Sequence, residues 1–281
     1  MRYILFTSAF SGLLFCIRAS PIATGSIAQA TPSEYDPPSK WLPLPPAPVA
    51  TSAERTLYRV ASRNNKDENE AAVPHLPEIL SGFARFLNHR EENTVKTTGG
   101  IQQSTENGVT GHKTCEPLTL IYARGTEEAG NIGTVVGPHL TAALRRLLNN
   151  KVTIQGVNYP ATARDTSGLG ADGGPAMAAL VKQALANCPA TKIAVAGYSQ
   201  GAMVLHDAAE ILGNGKVAAA VVFGDPLRYL PLDIAMPGNI RKLCARGDPV
   251  CGNGEDISLH RSYGEVAEEA AQFIIKATEI R

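Results

Sequence analysis

From Pro117 onward, short apolar runs alternate with stretches of helical periodicity, and this alternation restricts the fold more than any other feature of the chain. "PLTLIYARG" reads as a strand, and in the following "NIGTVVGPHLTAALRRLLNN" the side chains of Val135, Leu140, Leu144 and Leu148 share one helical face. "KVTIQGVNY" reads as a second strand. After a glycine-rich loop come "ADGGPAMAALVKQALANC" as helix, "KIAVAGYS" as strand and "QGAMVLHDAAEILG" as helix. "KVAAAVVFGDP" and "NIRKLCARGD" follow as strands, and "YGEVAEEAAQFIIKAT" is the last helix. Apolar strands alternating with helices indicate a sheet buried on both faces, so the pattern predicts an α/β fold with a central, mostly parallel sheet between helical layers. The 167 residues from Cys115 to Arg281 suffice for one such domain.

The preceding residues differ in character. Residues 31–114 hold the proline-rich "TPSEYDPPSKWLPLPPAPVATS" and the polar "RNNKDENE" and "NHREENTVKTTGGIQQSTENGVTGHK". Such composition buries too little apolar surface to offset the entropy of ordering, so the region reads as a low-order extension or pro-segment with an extended proline linker. A separate small domain is the alternative. Inside it, "LPEILSGFARFLNH" predicts one short amphipathic helix with Leu76, Ile79, Phe83 and Phe86 on one face. At the N-terminus, "MRYILFTSAFSGLLFCIRAS" places Arg2 ahead of an apolar run of about 15 residues and then small residues, the layout of a secretory signal peptide. Residues 1–20 are assigned to it, with cleavage there or as late as the "AQA" ending at Ala30. The run is too short for a convincing membrane span, so no stable membrane association is expected after cleavage.

Export also suits the cysteines. Losing Cys16 with the signal leaves Cys115, Cys188, Cys244 and Cys251, an even count that suggests two disulfides in an oxidising compartment. Three connectivities are open. The closeness of the last two favours a local Cys244–Cys251 loop, leaving Cys115 to Cys188, whose long loop should stabilise the fold by about 4 kcal/mol in the chain-entropy model. Paired C-x-x-C knuckles are absent, which argues against a zinc site. With 26 basic and 26 acidic side chains, net charge favours neither nucleic acid nor an anionic membrane surface as partner.

"GYSQG", residues 197–201, sits between a predicted strand and a predicted helix. In such a G-x-S-x-G turn the flanking glycines let the backbone close tightly and the serine oxygen points outward, beside the N–H of the next residue, here Gln200, at a helix N-terminus. A serine needs a base and the base an orienting acid, in the chain order serine, acid, histidine. His260 alone among the histidines lies beyond the later strands; His206 follows Ser199 on the same helix, His139 lies in an amphipathic helix, and His75, His89 and His112 belong to the extension. Asp248 within "CARGDPVC" is the favoured acid. Asp225 in "FGDP" also follows a strand and Asp256 lies near His260, and strand-end placement does not separate them.

"IYARGTEEAGNIG", "GYSQG", "CARGDPVC" and "SLHRSYG" together, in this order and spacing, resemble the cutinase family of serine esterases, a group that includes acetylxylan esterases. The resemblance runs from Cys115 to the C-terminus and implies a three-layer, α/β-hydrolase-like fold. It implies Ser199 as nucleophile, Asp248 as acid and His260 as base, with disulfides Cys115–Cys188 and Cys244–Cys251. It further implies an oxyanion hole from Gln200 and from Thr126, where cutinases commonly carry serine, with Arg124, Glu128 and Asn131 shaping the turn. No metal or organic cofactor is required.

The expected activity is secreted hydrolysis of carboxylic esters, in a cutin-type polyester or small ester, by a monomer. Because the core leaves little room for a large lid, an open serine is expected. The loop before His260, "GNGEDISL", is mostly polar, with only Ile257 and Leu259 offering apolar contact, and the "FGDP" stretch and the "GDPVC" acid loop look more like the acetylxylan esterase branch, which is the runner-up. A catalytically silent protein that binds plant or polymer surfaces is the reading from another class, and it would show no Ser199-dependent turnover. The long extension departs from typical secreted cutinases.

Overall fold

Five strands, β1 (Leu118–Ala123), β2 (Val152–Gly156), β3 (Lys192–Tyr198), β4 (Ala219–Phe223) and β5 (Ile240–Leu243), form one sheet in the order β2-β1-β3-β4-β5, every neighbouring pair parallel. The computed structural model describes residues 41, 104–111, 114–163, 170, 172–252 and 254–280. The signal segment and the amphipathic stretch around Phe83 lie outside the described residues.

The strands carry apolar side chains on both faces, and each face meets its own helices. Leu118, Leu120 and Tyr122 of β1, with Ala219, Val221 and Phe223 of β4, share one apolar cluster with α1 (Gly137–Leu147) and α5 (Ala267–Thr278). The intervening Ile121 and Ala123, with Ala220 and Val222, join the other cluster, built with α2 (Gly174–Asn187) and α3 (Gln200–Leu212). This period-2 division yields the three layers. Pro138 and Pro175 stand in the first turns of α1 and α2, where a missing N–H costs nothing.

Strand order reverses about β1, so the connections leave β1 and β3 in opposite directions and open a crevice at their carboxyl ends. β1 ends at Ala123, just before Arg124–Thr126, and β3 ends at Tyr198, just before Ser199. The topology thus brings the two most conspicuous sequence motifs to one place.

Two features differ from the sequence reading. The helix expected from Asn131 starts at Gly137, because the preceding N–H groups are taken elsewhere: Asn131 and Ile132 donate to the Ser104 carbonyl, and Thr134 and Val135 to the Glu128 carboxylate. The folded unit also begins before Cys115. The Gly108 N–H donates to Ile154 O (2.8 Å), the Gly156 N–H to Glu106 O (2.9 Å), and Asn107 forms an antiparallel bridge with Gln155, so residues 104–111 cover the open edge of β2. Asn131 fixes this segment, accepting from Glu106 N–H (2.8 Å) and donating to Glu106 O (3.1 Å) and to Asn107 Oδ1 (2.9 Å), while Glu106 pairs with Arg145 at 2.7 Å. Further upstream, Trp41 packs in the core with its ring 5.1 Å from that of Tyr263. A composition reading weighs apolar content; these polar residues join the fold through main-chain and amide hydrogen bonds instead.

The Asn131→Ala variant is predicted to lose roughly 1–3 kcal/mol, since it leaves the buried Glu106 N–H without a partner and removes the bonds to Glu106 O and Asn107 Oδ1. The urea midpoint of the full-length chain measures this, and an unchanged midpoint would show that residues 104–111 are not anchored there.

Candidate active site

Ser199 occupies a backbone conformation that few side chains adopt, φ 55° and ψ −119°, between the last residue of β3 and the first of α3. Glycine on both sides makes this turn feasible. A Cβ on Gly197 would lie 2.2 Å from Gly201 O, and one on Gly201 would lie 2.1 Å from Ala123 O. The start of α3 is thereby pressed against the end of β1.

His260 is the last residue of the short helix α4 (Ile257–His260), whose N-cap is Asp256, accepting from Ser258 N–H at 3.0 Å. Asp256 therefore serves as a cap. His260 Nε2 lies 2.9 Å from Ser199 Oγ, and Nδ1 lies 2.8 Å from Asp248 Oδ2. With the carboxylate able only to accept, Nδ1 carries the proton and Nε2 is left to accept from the serine hydroxyl. The other Asp248 oxygen, Oδ1, accepts from Val250 N–H at 2.7 Å. Burial by itself would raise the Asp248 carboxyl, but the His260 charge and hydrogen bond, with those from Tyr263 and Val250, hold it below the usual carboxylate range. The disulfide Cys244–Cys251 closes the loop that carries it, and Cys115–Cys188 ties the start of β1 to the end of α2.

Asp225 is occupied elsewhere. Its Oδ2 lies 3.0 Å from His206 Nε2, both residues buried, and its Oδ1 accepts from Leu227 N–H at 2.8 Å. Burial would raise this carboxyl too, but the charge and hydrogen bond of His206, Lys242 nearby and the Leu227 N–H keep it low. His206 thus packs within the domain, away from Ser199.

After β1, Thr126 is 7% exposed, and among the described residues its hydroxyl has no hydrogen-bond partner, leaving a donor for a developing oxyanion. The turn around it is held from two sides. Arg124 Nε donates to Glu128 O (2.8 Å) and its terminal nitrogen to Tyr159 O (2.9 Å), while Glu128 Oε2 accepts from Gly125 N–H (2.7 Å). The Glu127 N–H donates to Ala161 O (2.7 Å) and Gln200 Nε2 to Thr162 O (3.1 Å). Residues 159–162 therefore touch both the Thr126 turn and Gln200, a link that sequence reasoning missed. Asn131, one step further on, serves the 104–107 segment rather than the turn itself.

The expectation of an open serine is not met: Ser199, Asp248 and His260 each have 0% exposed surface, and Gln200 has 1%.

The family described as Cutinase matches residues 114–278, more than half of the chain. The chain belongs to the cutinase family. Cutinase 4 of Emericella nidulans is 52% identical over 177 residues, covering 62% of this chain and 77% of that protein. A cutinase of Botryotinia fuckeliana is 41% identical over 174 residues, covering 59% and 85%. Among solved structures, a Trichoderma reesei cutinase in complex with a C11Y4 phosphonate inhibitor aligns with a TM-score of 0.58 at 29% identity, covering 80% of this chain and 99% of that one. The chain is accordingly a secreted carboxylic ester hydrolase with an α/β-hydrolase-like fold. Among the described residues no helix is long and apolar enough to cross a membrane.

The two depressed carboxylates fix a pH dependence. Because their folded values lie below the unfolded value of about 4, their stabilisation is present above that pH and is lost as pH falls through the folded values. Asp225→Asn is predicted to be less stable at pH 7 and to lose less further stability on going to pH 3 than the wild type, with turnover at pH 7 within about threefold. Urea midpoints at the two pH values test it; parallel losses would contradict the pairing.

Proposed function

We propose that the protein hydrolyses ester bonds of cutin-type aliphatic polyester through an acyl-enzyme on Ser199. The observation that carries this reading is the continuous hydrogen-bond chain from Ser199 Oγ through His260 to Asp248, with links of 2.9 and 2.8 Å. In the proposed reaction Ser199 attacks the ester carbonyl while His260 Nε2 takes its proton, and Asp248 stabilises the imidazolium. The N–H of Gln200 and the hydroxyl and N–H of Thr126 stabilise the tetrahedral oxyanion. The alcohol leaves with the proton from His260, and water then hydrolyses the acyl-enzyme by the same steps. None of these steps uses a metal or organic cofactor.

The polyester substrate rests on similarity to the cutinases named above. The "FGDP" stretch that suggested an acetylxylan esterase supplies Asp225, which pairs with His206 in the interior, so it speaks for packing and not for substrate choice. The proposed organisation is an export signal over residues 1–20, an extension over residues 31–114 of which Trp41 and residues 104–111 pack on the domain, and a catalytic domain over residues 115–281, acting as a monomer.

Ser199→Ala is expected to reduce kcat/KM on p-nitrophenyl butyrate by at least about 10⁴-fold and Asp248→Asn by roughly 10³-fold or more. Turnover led by butyrate over acetate and palmitate supports a cutinase-like pocket. Turnover confined to acetate would favour the carbohydrate acetyl esterase, and turnover indifferent to Ser199 would overturn the mechanism.

A further inference from the structure

Tyr263 has no part in the reaction as written, yet its phenol reaches the carboxylate on which that reaction depends. It opens the 3-10 turn Tyr263–Val266, three residues after His260, and is fully buried. Its Oη accepts from the Ala245 N–H at 3.0 Å, on the chain leaving β5. With that lone pair occupied, the hydroxyl proton points to Asp248 Oδ2, 2.6 Å away. Cys251 Sγ lies 3.1 Å from the same Oη and 3.2 Å from Oδ2, but a disulfide sulfur has no hydrogen to donate, so it packs there without competing for the carboxylate. Burial first, and then the Asp248 charge, keep the phenol protonated, so it remains a donor.

One carboxylate oxygen therefore receives two donors, His260 Nδ1–H and Tyr263 O–H, while Oδ1 receives the Val250 N–H. The ring cannot swing away. Trp41 lies against it at 5.1 Å, Tyr198 at 6.0 Å and Phe223 at 6.2 Å, and it meets the His260 ring edge-on at 6.0 Å. Titratable groups near the pair include Tyr198 at the end of β3, whose hydroxyl donates to His260 O (2.7 Å), with Arg261 and Glu128 acting on Tyr198, and His139 against Gly264, the residue after Tyr263.

We infer that Tyr263 is a positioning residue which takes up part of the negative charge of Asp248 and so limits how firmly His260 holds its proton. This rests on the catalytic reading above. A donor on Oδ2 weakens that oxygen as an acceptor for Nδ1–H, and hydrogen bonds to charged groups are the strong ones. Removing it gives the imidazolium more of the carboxylate charge. His260 would then be protonated up to a higher pH, and the acid limb of kcat/KM moves upward because only the neutral ring can take the serine proton.

The test pairs two variants of the full chain. Tyr263→Phe removes the donor and is expected to raise the acid limb of kcat/KM, and the midpoint of the His260 imidazole titration followed by NMR, by roughly half a pH unit. At the optimum, kcat should fall about tenfold with KM within twofold. Tyr263→3-fluorotyrosine keeps the contact with a stronger donor and is expected to move both midpoints downward. It decides the matter alone if the Phe variant, which strands the Ala245 N–H, does not fold. Midpoints that stay within about 0.1 pH unit of wild type, that fall in Tyr263→Phe, or that rise in the 3-fluorotyrosine variant would overturn the inference. The NMR titration needs no turnover. Loss of the catalytic reading, seen as turnover in Ser199→Ala equal to wild type, is thus distinguishable from loss of this one.

Discussion

A serine at φ 55° between a strand and a helix is the constraint around which the rest of the site is arranged. Such a conformation costs about 1–3 kcal/mol, and it persists because the elements around it are fixed by their own packing. The glycines at 197 and 201 let β3, α3 and the end of β1 approach to distances no side chain would permit. That approach sets the Thr126 turn beside Gln200 and aims Ser199 Oγ at His260. The same crowding ties specificity of geometry to the sheet order, since only at the reversal between β1 and β3 do the two loops meet.

The second constraint is electrostatic. A carboxylate with no exposed surface is costly unless its lone pairs are filled, and Asp248 meets this with three donors from three positions in the chain. The disulfide Cys244–Cys251 spans only 7 residues, so the entropy it removes is worth about 2 kcal/mol, against about 4 kcal/mol for Cys115–Cys188 with its separation of 73. Its larger consequence is positional: it holds the Asp248 loop against Tyr263. Asp225 and His206 form a second buried acid–imidazole pair, so such pairing alone does not single out the candidate site. What differs is the neighbour, a serine on a strained turn in one case and the domain interior in the other.

The sheet and its helices were legible because continuous apolar strands and helical periodicity are local signals. Ser199 and His260 were legible from a strand–turn–helix motif and from chain order, Asp248 was set apart from Asp225 by the resemblance of "CARGDPVC" to cutinases, and cysteine spacing favoured the disulfide pairing that the same resemblance implies. Residues 104–111 were not legible: Glu106, Asn107 and Asn131 look like solvated polar residues until the fold lays the segment between β2 and Asn131, which lies 25 positions from Glu106 and 24 from Asn107. The role of residues 159–162 was hidden for the same reason, being carried by main-chain carbonyls. Tyr263 lay inside "SLHRSYG", where an aromatic three residues after the histidine was a usable signal, but only the fold reveals that its hydroxyl meets Asp248. The burial of Ser199 is likewise a property of the assembled chain, invisible to a reading by segments.

The central claim is that Ser199 is the nucleophile made reactive by its hydrogen-bond chain. Stoichiometric labelling tests it most directly. The secreted protein is treated with a p-nitrophenyl alkylphosphonate, release of p-nitrophenol is counted, and the adduct is located by peptide mass spectrometry. The account predicts one equivalent released, one adduct on the peptide bearing Ser199, and strong slowing in Asp248→Asn. No burst, or an adduct on another residue with Ser199 unmodified, would contradict it.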